Sequence, residues 1–240
     1  MATRTTHLRF LACVLLPVLV LATARAQSTQ LFSTTPGGAP GAGNSTWSAL
    51  DDCGRYVAFQ SAAPDLVPGD ANGFIDVFRF DRQTGQRAIA SVSAGGAQGN
   101  GNSRLPSLSS DGRRVAFETD ATNLAAGDTN GVTDVYVRDL ATNATIRASL
   151  TAGGAQPNRD CRRPRISGDG RYVVFETAST NLGAPGGFFQ VWRKDLATGA
   201  LAQVSVAPIG ALSNGDSLAG SLSRDGRWAA KFNYSRYAEA

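Results

Sequence analysis

The chain has 240 residues and a formal net charge of +4, but Arg4, Arg9 and Arg25 lie in an N-terminal segment that reads as removable; taking these three from 23 basic residues leaves 20 against 19 acidic ones. No lysine-rich block or basic stripe remains, which excludes the electrostatic footprint of a nucleic-acid binder. The single histidine, His7, lies in the same segment, so imidazole-based triads and zinc sites built on histidine are excluded from the remainder.

In chain order, Arg4, His7 and Arg9 form a positive stretch, Leu11 to Ala22 an apolar run broken by Pro17, and Ala24-Arg25-Ala26 the small residues of a cleavage site. Residues 1–26 therefore read as a secretory signal peptide. A dozen apolar residues fall short of the ~20 that span a bilayer, and no later segment reaches that length. The expected product is residues 27–240, secreted or periplasmic, without a membrane span.

A repeat then governs the chain. Asp51-Asp52-Cys53-Gly54-Arg55-Tyr56-Val57-Ala58-Phe59 returns as Ser109-Ser110-Asp111-Gly112-Arg113-Arg114-Val115-Ala116-Phe117 and as Ser167-Gly168-Asp169-Gly170-Arg171-Tyr172-Val173-Val174-Phe175, with a weaker copy at Ser223-Arg224-Asp225-Gly226-Arg227-Trp228. The glycines step by 58, 58 and 56 residues. A fixed period of this size marks stacked or radial units, none of which buries its apolar face alone. The copies run over about 44–101, 102–159 and 160–215, with a partial copy at 216–240. Residues 30–36 read as an orphan outer strand, because Ser33 to Ala39 lies 58 residues ahead of the similar Ser91 to Ala97.

Within the second copy, Leu105 to Ser109 predicts a strand and Asp111-Gly112 a tight turn. Arg113 to Thr119 alternates like a half-buried strand. A polar loop over Asp120 to Thr133 leads to a third strand at Asp134 to Arg138, and Thr145 to Leu150 predicts a fourth. Four antiparallel strands per unit with Gly-rich connections predict an all-β propeller of four-stranded blades, incomplete here, with three full blades and part of a fourth.

The run Pro106-x-x-Ser109-x-Asp111-Gly112-Arg113, then Val115-Ala116-Phe117 and Asp134-Val135-Tyr136-Val137-Arg138-Asp139, resembles the WD40-like (PD40) repeat of TolB-type β-propellers, over essentially Ser33 to Trp228. The repeat is longer than the usual unit, and the fourth copy departs after Trp228. The resemblance implies an exported scaffold that binds a protein or glycan ligand without catalysis. A carbohydrate-active or other hydrolytic propeller working through carboxylates, and a truncated, non-functional remnant of a larger propeller protein, are the alternatives. Open blade edges imply pairing with another copy of the chain.

Three constellations stand out as candidate sites. Asp70, Asn72 and Asp76 recur as Asp128, Asn130 and Asp134 around an Asn-Gly turn, while the third copy, Gly183 to Gln190, has lost these ligands. Oxygens at this spacing resemble part of a calcium loop, yet the same residues also serve an ordinary capped turn. Glu118 and Glu176 are equivalent residues at the place of Gln60, and read either as catalytic carboxylates or as polar strand ends. Arg104, Arg162, Arg163 and Arg165 gather at first strands, either as an anion-binding rim or as partners of Asp160 and Asp169. Cys53 and Cys161 occupy non-equivalent repeat positions, which argues against a disulfide between them.

Overall fold

The computed structural model describes residues 30–182, 187–206 and 215–234. The segment 1–26, expected to be a signal peptide, lies outside the described residues, as does the first half of the third loop copy, residues 183–186.

The first copy folds into β1 (Ser45–Leu50), β2 (Tyr56–Ser61), β3 (Asp76–Asp81) and β4 (Arg87–Ile89), hydrogen-bonded in that order. The second forms β5 (Ser103–Leu108), β6 (Arg114–Thr119), β7 (Asp134–Asp139) and β8 (Ala144–Arg147). The third forms β9 (Cys161–Ile166), β10 (Tyr172–Thr177), β11 (Gln190–Asp195) and β12 (Leu201–Gln203). A two-stranded sheet follows, β13 (Asp216–Leu222) with β14 (Ala229–Tyr234). Every pairing is antiparallel. The sheets meet through their first strands, β1 on β5, β5 on β9 and β9 on β13, which makes these the inner strands of an arc of blades.

The second strands are buried on both faces, not on one as the alternation predicts. Each blade is sandwiched between neighbours, so the alternation sorts large from small instead of apolar from wet. Val115 and Phe117 of β6 pack back onto Ala58 and Val77 of the first blade. Ala116, between them, packs forward with Ile166 and Val173 of the third. The fourth strand ends at Arg147, short of the expected Leu150. There the Ser149 hydroxyl takes over as acceptor for the Val135 amide at 3.3 Å, and Ser91 and Ser205 do the same for Val77 and Val191.

Residues 31–43 cover the outer part of the first blade. Phe32 packs on Phe80 with ring centroids 5.8 Å apart, and Thr34 holds a single antiparallel bridge with Pro40, as Val92 does with Gln98 one period later. Cys53 is exposed, Cys161 is buried, and both thiols are free.

Candidate functional site

The turn between first and second strands is built from side chains. Ser109 Oγ donates to Asp111 Oδ1 at 2.6 Å, and that oxygen also accepts the Arg113 amide at 3.0 Å. The Arg114 amide donates to Ser109 Oγ at 3.0 Å, and the third and fourth copies repeat the pattern. The first copy exchanges the two roles. Asp51 stands at the serine position and accepts from both the Cys53 thiol and the Tyr56 amide, each at 3.0 Å. The carboxylate has moved, and the hydrogen bonds that close the turn have moved with it.

Each inner strand carries a bulge. At its crest Trp47, Leu105 and Arg163, three equivalent residues, adopt φ of 50°, 50° and 51°, a left-handed conformation that costs a non-glycine residue about 1–2 kcal/mol. Such strain persists only where the surroundings hold it. Here the preceding blade does so, because the Leu105 amide donates to Gln60 Oε1 at 2.9 Å and the Arg163 amide to Glu118 Oε2 at 2.8 Å. Glu176 grips the Ala219 amide in the same way at 2.7 Å. Burial raises both glutamates above the usual carboxylate range. Glu118 and Glu176 are thus interblade clasps, each gripping a backbone amide, and an uncharged glutamine does the same in the first blade.

The bulges turn a mixed set of side chains toward the mouth between inner strands. Trp47, Leu105, Pro106 and Arg165 line a cleft of ≈ 270 Å³ there. Of the clustered arginines, Arg104 pairs with Asp120 at 2.9 Å, Arg162 with Asp160, and Arg163 with Glu176 at 3.6 Å. Asp169 instead closes its own turn. Three of the four arginines are therefore paired with carboxylates, which leaves less free positive charge for an anion-binding rim.

The Asp-x-Asn loops lie at the junction of second and third strands. In both, the asparagine amide nitrogen donates to the later aspartate, Asn72 to Asp76 at 2.8 Å and Asn130 to Asp134 at 3.0 Å. Asn72 Oδ1 accepts the Phe74 amide at 3.0 Å, so its oxygen belongs to the turn. In the second copy the Arg147 guanidinium reaches Asp128 at 2.9 Å and Asp134 at 3.4 Å, and Tyr136 donates to Asp128 at 2.7 Å. A cation of the protein's own already sits among Asp128, Asn130 and Asp134. The third copy replaces the ion pair by neutral amides, Gln203 donating to Gln190 at 3.1 Å. The first copy has Ile89 in place of Arg147 and Phe78 in place of Tyr136. Burial, and then the charge of Asp76, push the Asp70 carboxyl up to about 6. Among the described residues no group of three or more His, Cys, Asp or Glu is placed to hold a metal. The lone glutamines and Ile89 were the sequence signals for these differences, but only the fold shows which residues face each other.

No protein-family model and no curated protein matches the sequence. Among solved structures, TolB from Acinetobacter baumannii is similar at 20% identity and a TM-score of 0.50, over 82% of this chain and 39% of that one. A prolyl endopeptidase structure is similar at 14% identity and a TM-score of 0.50, over 85% of this chain and 27% of that one. The chain thus spans less than half the length of either protein. Three four-stranded sheets and a two-stranded fourth, joined through inner strands and matched by TolB, give this chain the fold of a TolB-like WD40-type β-propeller with an incomplete set of blades.

Proposed function

We propose that the chain is an exported propeller scaffold that binds a protein or glycan ligand at the inner-strand mouth and performs no catalysis. The observation that carries this reading is the use of Glu118 and Glu176, whose carboxylates are spent on backbone amides of the next blade. The clasp from Gln60 holds Leu105 at the inner-strand cleft, where the exposed indole of Trp47 and the ring of Pro106 add apolar contact area beside Arg165. Aromatic and arginine side chains of this kind dominate protein recognition surfaces. Among the described residues no helix is long and apolar enough to cross a membrane. Export rests on the leader over 1–26, and mature protein recovered from the source cells should begin at Gln27.

The binding reading is tested by photo-crosslinking from Leu105 and Arg163 in the native envelope or medium, in wild type and in a Trp47→Ala, Arg165→Ala variant. Adducts to a defined partner that are lost in the variant are expected. Turnover of a peptide or glycoside panel that Glu118→Gln and Glu176→Gln abolish would instead establish the hydrolytic alternative.

A calcium ion, if the loops hold one, belongs to the first copy, where Asp70 and Asp76 lack the guanidinium that serves Asp128 and Asp134. Two carboxylates supply few of the six to eight oxygens calcium takes, so the remainder would come from backbone and water. Such an ion would act on stability by binding the native state alone. Identical melting in chelator and in millimolar calcium would remove it.

A further inference from the structure

The joint between the second and third blades lacks a part that the joints on either side of it possess. In the first joint the Tyr56 ring packs on the turn of the next blade, where a methyl group on Gly112 would stand 2.2 Å from it. Two guanidinium groups hold that ring, Arg79 at 4.4 Å and Arg55 at 4.7 Å from its centroid. The third joint repeats the set, with Tyr172 against Gly226 and with Arg171 and Arg193 each 4.9 Å from the ring centroid. Strand register places Arg114 at the tyrosine position of the second joint, and Val137 at the position of Arg79 and Arg193. Arg114 lays its stem on the turn, where a methyl group on Gly170 would stand 3.1 Å from its Cδ, and donates to the Gly170 carbonyl at 2.8 Å. One side chain thus fills two places. Among the described residues no aromatic ring lies over its guanidinium.

The space given up is a cleft of ≈ 350 Å³, within the range of about 300–1,000 Å³ that small-ligand sites occupy. Val137, Ile146 and Leu196 give it apolar walls, and Arg114, Arg171 and Asp139 its polar ones. The Arg114 guanidinium is fixed from two sides, by the Gly170 carbonyl and by Asp139 at 3.1 Å, while 39% of the side chain stays exposed. Ile146, at the rim, is 43% exposed. A cation held in one plane beside apolar walls is a surface suited to the face of an aromatic ring. The cleft lies at the turn end of the blades. β10, β12 and β14 run toward the opposite end, and the described chain breaks off there, after Leu182, Val206 and Tyr234.

We propose that this cleft receives an aromatic side chain of a partner polypeptide, its ring stacked on the Arg114 guanidinium. The rings in the two neighbouring joints, Tyr56 and Tyr172, are themselves side chains of extended strands, and the second joint leaves that ring to be supplied from outside. The site is separate from the inner-strand cleft, with which it shares no lining residue.

The test is methyl NMR on the full chain, titrated with p-cresol, with the peptide acetyl-Gly-Tyr-Gly-amide, and with 4-methylcyclohexanol, the saturated counterpart of the ring. Saturable ring-current shifts at Val137, Ile146 and Leu196 are expected with the first two, with half-saturation on the order of millimolar. The saturated alcohol should bind about threefold more weakly, because it offers Arg114 no π face. Arg114→Tyr combined with Val137→Arg copies the first joint and should abolish binding. Should circular dichroism show that variant unfolded, Ile146→Trp covers the cleft from its exposed rim and should abolish binding as well. Absence of shifts at these three methyls in the wild-type chain overturns the proposal, as do shifts that survive both variants. Equal binding of p-cresol and the saturated alcohol overturns the stacking on Arg114. Binding of p-cresol without binding of the peptide would make the cleft a site for free aromatic molecules and overturn the polypeptide occupant.

Discussion

At Gln60, Glu118 and Glu176 one task is performed by side chains of different charge, because what the next blade's amide requires is a carbonyl or carboxylate oxygen at hydrogen-bond distance. Glu118→Gln should therefore cost at most about 0.5 kcal/mol, while Glu118→Ala leaves the Arg163 amide unpaired and should cost about 1–3 kcal/mol. Chemical denaturation of both variants checks this, and equal losses would mean that the charge itself matters. Asp70 gives the opposite kind of residue, a carboxyl without a compensating cation. Its folded value of about 6 exceeds its ordinary 3.8, so the folded chain holds this proton more tightly than the unfolded one. The stability it contributes is complete below about pH 4 and is lost as pH rises through about 6. Asp70→Asn should remove that slope and raise stability at pH 7 by on the order of 1 kcal/mol, discounted for partial exposure, with little change at pH 4. Denaturant midpoints at the two pH values decide it; an equal shift at both would contradict the assignment.

At the scale of the element, the blade joint couples a turn to a strand of its neighbour. Arg79 donates to the Gly112 carbonyl at 2.9 Å while lying over the Tyr56 ring, 4.4 Å from its centroid. The third blade repeats this with Arg193, Gly226 and Tyr172. The second blade has Val137 at the arginine position, and Arg114, at the tyrosine position, reaches the Gly170 carbonyl itself at 2.8 Å. Both arrangements deliver one guanidinium to one glycine carbonyl. The glycine is needed twice over, for φ and for the approach of the ring. Gly54→Ala should cost about 1–2 kcal/mol from its backbone alone. Gly112→Ala, with φ of +65° and a ring in the way, should cost a further 1–3 kcal/mol. Equal midpoint shifts in the two variants would refute the packing argument.

For the whole molecule, the two ends of the arc differ. The outer part of the first blade is closed by residues 31–43, and Phe59, Phe78 and Phe80 are buried there. At the other end β14 places Lys231 where Phe117 and Phe175 stand in earlier blades, and Phe232 faces outward. Because side chains alternate along a strand, a change of one position exchanges the two faces. Lys231 Nζ donates to the Val206 carbonyl at 3.1 Å, a weak substitute for a buried ring. The β14 amides should exchange with solvent at least tenfold faster than those of β6, which is covered on both faces. Equal protection would show that the last sheet is as firmly held as the central one.

The 58-residue period alone determined the blade, its turns and the equivalence of positions, because a repeated local pattern needs no knowledge of what lies across the sheet. Strand order followed from the same pattern, since Asp-Gly and Asn-Gly turns leave a short chain few other pairings. The roles of the marked residues did not follow, because each depends on a partner from a different part of the chain. Glu118 reads either as a catalytic carboxylate or as a polar strand end until the Arg163 amide arrives from the next blade, 45 residues away. Asp128 and Asp134 read either as calcium ligands or as parts of a capped turn, and only the fold shows that β8 brings Arg147 within reach of both. The burial of the second strands on both faces was equally hidden, because alternation within a strand reports two unlike faces and only a neighbouring blade decides that neither is wet.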